Sequence, residues 1–132
     1  MVSPEYRLSP PTILVVDDDD LVRWFMTRVL LDERYRVIAA ENGEIAWRIL
    51  KRGDTSVDAV VTDVVMPVMN GVELSRRIAE LPNAPPLILV SAYPYPEAVL
   101  DHPFLPKPFQ PEQLVAIVGH ILRAVHLPNM AS

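Results

Sequence analysis

The sequence contains no cysteine, which excludes disulfides and thiolate metal sites. It also lacks an excess of basic charge: 12 Lys and Arg stand against 17 Asp and Glu, for a formal net charge of −5. That balance disfavours nonspecific binding to nucleic acid or to anionic membranes, since both rest on basic surface. No apolar run approaches the roughly eighteen residues needed to span a bilayer. The first residues, MVSPEYRLSPP, have neither a basic n-region nor an apolar h-region and do not read as a signal peptide. There is no internal repeat and no low-complexity segment. The expectation is a soluble cytoplasmic protein that makes no direct contact with nucleic acid or membrane.

What is present is an ordinary globular balance. Half of the 132 residues are hydrophobic and 22% are charged, which argues against general disorder and for one domain with a sizeable core. Residues 1–11, with three prolines, read as an irregular leader. TILVV (12–16) is a continuous apolar, β-branched run suited to a strand buried on both faces. From Leu21 to Leu31, the residues Val22, Phe25, Met26, Val29 and Leu30 recur at helical spacing. YRVIAA gives a second strand, and GEIAWRILKRG a helix that stops near Gly53. VDAVVT gives a third strand, followed by a helix, VELSRRIAEL, entered through Asn70 and Gly71. PLILV is a fourth strand and FLP a short fifth one. PEQLVAIVGHILRAV closes the fold as a helix with Pro111 in its first turn. The domain is expected over 12–125, with 126–132 as a frayed tail. Strand and helix alternate, and parallel neighbours need crossover connections, so the pattern predicts a parallel sheet with helices on both faces.

The polar groups then fall in one place. Asp17 and Asp18 follow the first strand, Asp63 the third, Ser91 the fourth, and Lys107 comes just after FLP. In open α/β sheets, ligands bind outside the carboxyl ends of the strands, at the point where strand order reverses. Converging carboxylates make a site for a hard, oxygen-bound cation such as Mg²⁺, and without a cation they raise one another's pKa. Carboxylate, cation, ammonium and hydroxyl together meet the needs of phosphoryl transfer, where catalysis is mostly positioning and electrostatics. A carboxylate can itself be the acceptor.

With LVVDDD (14–19), VVTDVVMPVMNG (60–71), ILVSAY (88–93) and PKPF (106–109) in this order, the sequence resembles the receiver domain of two-component response regulators over about residues 12–125. The resemblance implies a flavodoxin-like, doubly wound sheet of five parallel strands in the order 2-1-3-4-5. It implies a phosphoprotein of signal transduction and phosphorelay rather than an enzyme in the ordinary sense, with only self-catalysed phosphotransfer and dephosphorylation. Asp63 would be the phosphoacceptor. Asp17 and Asp18 would hold Mg²⁺ with it, and the backbone carbonyl of Val65 would complete the protein ligands. Ser91 would hydrogen-bond the phosphoryl group, Lys107 would neutralise it, and Phe104 matches the family's aromatic switch position. A cis Lys107–Pro108 bond is implied. The partner would be a sensor histidine kinase or a histidine phosphotransfer protein, with a downstream protein target, in a monomer or weak homodimer. The chain would be a stand-alone receiver or the receiver of a hybrid histidine kinase.

Three features depart from the family pattern. Val68 follows Met66–Pro67 where glycine is usual, so a differently shaped loop is expected. Phe104 stands where tyrosine is commoner. Only 16 positions separate Ser91 from Lys107, and that stretch carries Pro94, Pro96, Pro103 and Pro106, so the helix between the fourth and fifth strands is expected to be shortened or absent.

Plainer readings stand beside these. Asp19 and Asp20 suit a helix start in water, and Asp17 and Asp18 could cap the same helix. Trp24 falls off the apolar stripe of its helix and suits either partner docking or partial burial against the last helix. His102, His120 and His126 show no ligand spacing. Two rival functions remain. One is a haloacid-dehalogenase-like phosphohydrolase with Asp17 as nucleophile and Asp19 as acid/base, although beyond Lys107 the only acidic residue is Glu112. The other is a receiver-like interaction module that no longer accepts phosphate.

Overall fold

The β-branched run at the start of the domain forms β1 (Thr12–Val16), every residue of which is buried. The computed structural model describes residues 9–92 and 102–126, the last two by backbone alone. After β1 come α1 (Asp20–Asp32), β2 (Arg36–Ala40), α2 (Gly43–Arg52), β3 (Ala59–Asp63), α3 (Gly71–Ala79), β4 (Leu87–Ser91), β5 (Phe104–Pro106) and α4 (Pro111–His126). All strand pairs are parallel, in the order β2-β1-β3-β4-β5. The expected flavodoxin-like sheet is therefore the observed one.

The strands read as unbroken apolar runs because each face of the sheet has its own helical layer. Ile13 and Val15 of β1 pack on Met26 and Leu30 of α1 and on Leu114 and Val118 of α4. Leu14 and Val16 point the other way, onto Ala46 of α2 and Leu74 and Ile78 of α3. A residue slip of one in β1 would exchange these faces, so the register is fixed by both layers together. Each fully buried Leu or Val contributes about 1.5–3 kcal/mol relative to an exposed one.

Local chemistry sets the helix starts at the carboxyl end of the sheet. Asp19 caps α1, its side chain accepting from the amides of Leu21 and Val22. Asn42 caps α2 through Ile45 N–H, and Asn70 caps α3 through Glu73 N–H. At its far end, α2 stops on Gly53, in the left-handed conformation at φ 72°. α4 runs through His126, one residue beyond the expected domain boundary.

The proline-rich segment in which a shortened or absent helix was expected lies at 93–101, outside the described residues. So do residues 1–8 of the leader and 127–132 of the tail. Among the described residues, no helix is long and apolar enough to cross a membrane.

Candidate functional site

The sheet register brings the polar residues together. Val16 of β1 pairs with Thr62 of β3, so the next positions along, Asp17 and Asp63, leave adjacent strands at the same level. Asp63 in turn pairs with Val90, and Ser91 with Pro106, the residue before Lys107. Asp63 and Ser91 are the last residues of their strands rather than the first beyond them. This is the point where strand order reverses, between β1 and β3.

Carboxylate oxygens of Asp17, Asp18 and Asp63 lie within 4.8 Å of one another. Asp17 is fully buried, Asp63 is 8% exposed and Asp18 is exposed. Both oxygens of Asp17 are engaged: Oδ1 accepts from Asp19 N–H at 2.9 Å, and Oδ2 accepts from the Lys107 ammonium at 3.0 Å. Lys107 Nζ also stands 3.5 Å from Asp63 Oδ1, which accepts from Val64 N–H at 2.9 Å. Ser91 is buried beside them, and its carbonyl accepts from Lys107 N–H at 2.8 Å, which fixes the start of the lysine's loop against β4. The Lys107–Pro108 bond is cis, as the resemblance implied.

Crowding of acids in a partly closed site has an electrostatic cost. Burial, and then the neighbouring Asp17 charge, raise the Asp63 carboxyl from its usual 3.8 to about 6, against the lowering effect of Lys107 and the Val64 amide. Mutual repulsion among carboxylates was expected; burial is the larger cause. For Lys107, burial acts to lower the pKa, but the carboxylates of Asp17 and Asp63 outweigh it and the net shift is upward. A divalent cation relieves the same repulsion, and three oxygen donors of which two are buried fit a hard one.

The loop from β3 to α3 is tightly held. Gly71 N–H donates to Val64 O at 2.9 Å, and a Cβ on Gly71 would run into the backbone carbonyl of Asp63. Only glycine allows α3 to start this close to the acidic site. Met69 N–H donates to Pro67 O at 2.8 Å, closing a three-residue turn with Val68 at its centre, φ 71°. A γ-turn with positive φ is a strained form, and more so for a β-branched residue. The departure from glycine thus shows itself as strain on Val68 in a conformation that glycine adopts freely.

Exposed apolar side chains occur on the elements that leave the site: Leu21 and Trp24 on α1, Val65 and Val68 in the β3–α3 loop. Trp24 is 63% exposed, so most of its surface is open to solvent. Phe104 opens β5 and packs, half-buried, against the α2–α3 side of the sheet. An apolar cavity of about 350 Å³, lined by Val22, Phe25, Ala92, Lys107, Pro108 and Phe109, adjoins the lysine. Asp19 and Asp20 take the helix-start roles read for them.

Sequence reasoning missed Arg23. Its guanidinium bridges the main-chain carbonyl of Asp17 at 2.8 Å and the carboxylate of Asp20 at 2.5 Å. The i, i+3 spacing from Asp20 was the available signal.

Comparison with known proteins agrees with this geometry. The family model described as "Response regulator receiver domain" matches residues 13–119. The chain is 36% identical over 132 residues to the 3',5'-cyclic-nucleotide phosphodiesterase regA of Dictyostelium discoideum, covering 93% of this chain and 17% of that protein. It is 34% identical to the transcriptional regulatory protein CpxR of Escherichia coli (strain K12), covering 86% of this chain and 50% of that one. Among solved structures, it is similar to the Vibrio cholerae chemotaxis protein CheY4, with a TM-score of 0.76 and 29% identity over 86% of this chain and 100% of the other. The chain spans half or less of the length of the curated relatives it matches.

Proposed function

Since the chain belongs to the response regulator receiver domain family, we propose that it accepts a phosphoryl group onto Asp63 from a histidine kinase or histidine phosphotransfer protein and thereby switches its protein–protein interactions. The observation that carries this reading is the meeting of three carboxylates and one ammonium at the strand-order reversal, with Lys107 between Asp17 and Asp63.

In the proposed step, an Asp63 oxygen attacks phosphorus, the P–N bond of the donor's phosphohistidine breaks, and its electron pair leaves with the imidazole. Asp63 must be ionised to attack, and Lys107 favours that form against the effect of burial. Asp17, Asp18, Asp63 and the Val65 carbonyl would hold Mg²⁺, which supplies charge neutralisation for the phosphoryl oxygens. Lys107 would take up the remaining negative charge and Ser91 a phosphoryl oxygen. Leu21, Trp24, Val65 and Val68 offer the donor protein an apolar rim beside the acidic centre. Phosphate at Asp63 would draw Ser91 and Phe104 inward, provided it contacts one of two pre-existing arrangements better than the other. A complete acidic and lysine set gives no support to an interaction module that has lost phosphate acceptance. The phosphohydrolase alternative is weakened by Asp19, whose carboxylate is engaged in capping α1 through the Leu21 and Val22 amides.

The test is incubation with a small-molecule phosphodonor and Mg²⁺, followed by intact mass. A single phosphoryl adduct is expected on the wild type and none on Asp63→Asn. Absence of an adduct on the wild type would overturn the reading, and an adduct mapped to Asp17 would favour the phosphohydrolase.

A further inference from the structure

We infer that Arg23 is a positioning residue for the cation site; the inference rests on Asp17, Asp18 and Asp63 being the cation's ligands. The Arg23 side chain is only 20% exposed, so its guanidinium is held rather than waving in solvent. Nη1 donates to the carbonyl of Asp17 and Nη2 to the carboxylate of Asp20. Its own backbone N–H donates to the carbonyl of Asp19 at 2.9 Å. These acceptors bracket Asp18. One forked side chain therefore ties both ends of the short segment that carries the exposed member of the carboxylate trio. Asp17 has independent anchors, the Asp19 amide and Lys107. Asp18 gains its order from the backbone on either side, and Arg23 fixes that backbone before a cation arrives, so that less ordering entropy is lost on binding.

The sign of the effect separates this role from simple electrostatics. Arg23 carries the same charge as the cation. If it acted only through charge, removing it would tighten Mg²⁺ binding; if it acts by holding the loop, removing it loosens binding. Lysine separates the two further, because it keeps the charge but lacks the rigid pair of terminal nitrogens that reaches the Asp17 carbonyl and the Asp20 carboxylate at once.

The experiment is calorimetry of Mg²⁺ injected into wild type, Arg23→Gln and Arg23→Lys, each shown to be folded in chelator by circular dichroism. Loss of an outer partner that orients a metal ligand weakens affinity by roughly tenfold or more, and that loss is expected in both variants. Should Arg23→Gln fail to fold, Arg23→Lys alone carries the comparison. Wild-type or tighter affinity in Arg23→Gln, or full wild-type affinity in Arg23→Lys, overturns the inference. If the wild type itself takes up no Mg²⁺, the cation-site reading beneath it falls instead.

Discussion

The ammonium of Lys107 sits 3.0 Å from the carboxylate of Asp17, a side chain with no exposed surface. Removing one member of such a pair leaves the other as an uncompensated buried charge, which costs far more than the pair contributes when intact. Lys107→Met is therefore expected to lower the stability of the metal-free protein at neutral pH by about 2–4 kcal/mol. Millimolar Mg²⁺ should return part of the loss by binding only the folded state. Urea denaturation with chelator and with Mg²⁺ measures both quantities; a loss below about 0.5 kcal/mol, the level of a surface change, would show that Asp17 is not dependent on the lysine.

Asp63 makes the metal-free domain sensitive to pH in an unusual direction. Burial first, then Asp17, raise its folded pKa to about 6, above the usual 3.8. The folded state thus binds this proton more tightly than the unfolded one. Its contribution to stability is complete below the unfolded value and is lost as pH rises through the folded one. Measured against Asp63→Asn in chelator, wild-type stability should fall by about 1–2 kcal/mol between about pH 4 and about pH 7, after discounting for solvent screening at a partly open group. A pH-independent difference between the two proteins would count against the shift.

Val68 holds positive φ with its side chain 78% exposed, so it gains little from burial to offset its strain. Val68→Gly should stabilise the domain by about 1 kcal/mol, the release of left-handed strain exceeding the extra unfolded-state entropy of glycine. Equilibrium denaturation reads this directly. A destabilised glycine variant would mean that the turn relaxes without strain.

Thr27, on α1, has a buried hydroxyl oxygen with no hydrogen-bond partner among the described residues. Thr27→Val replaces that hydroxyl with a methyl group of similar shape and should stabilise by about 1 kcal/mol. Thr27→Ser keeps the hydroxyl and removes a methyl group, so it should destabilise. Equal thermal midpoints for all three proteins would show that solvent satisfies the oxygen.

The fold was largely legible because a parallel sheet buried on both faces leaves unbroken apolar runs such as Ile13–Val16 and Leu87–Val90. The acidic residues were legible for a related reason. Each ends or follows such a run, and a charged residue at that place has few structural explanations. Arg23 was not legible as a clamp, because its reach back to the Asp17 carbonyl depends on the path of the intervening backbone. Nor was the strain at Val68: a residue difference announces that a loop must adapt, but whether backbone or side chain gives way depends on how firmly its neighbours are held. Here the far end of the loop is tied down, Gly71 N–H donating to Val64 O while its Cα faces the Asp63 carbonyl with no space for a Cβ. The cause of the Asp63 shift was half visible, since repulsion follows from composition while burial follows from packing.

The ion pair of Asp17 and Lys107 spans 90 positions of the chain and is completed by a three-residue strand, β5, bonded to a single neighbour. The centre therefore matures late in any folding route that closes short loops first. The same strand is among the first expected to open when the native sheet breathes. Such an opening withdraws the resident ammonium while the carboxylates stay on the central strands. Edge fraying in β5 thus unpairs the acidic centre without unfolding it, and hydrogen exchange at Leu105 would report how often that happens.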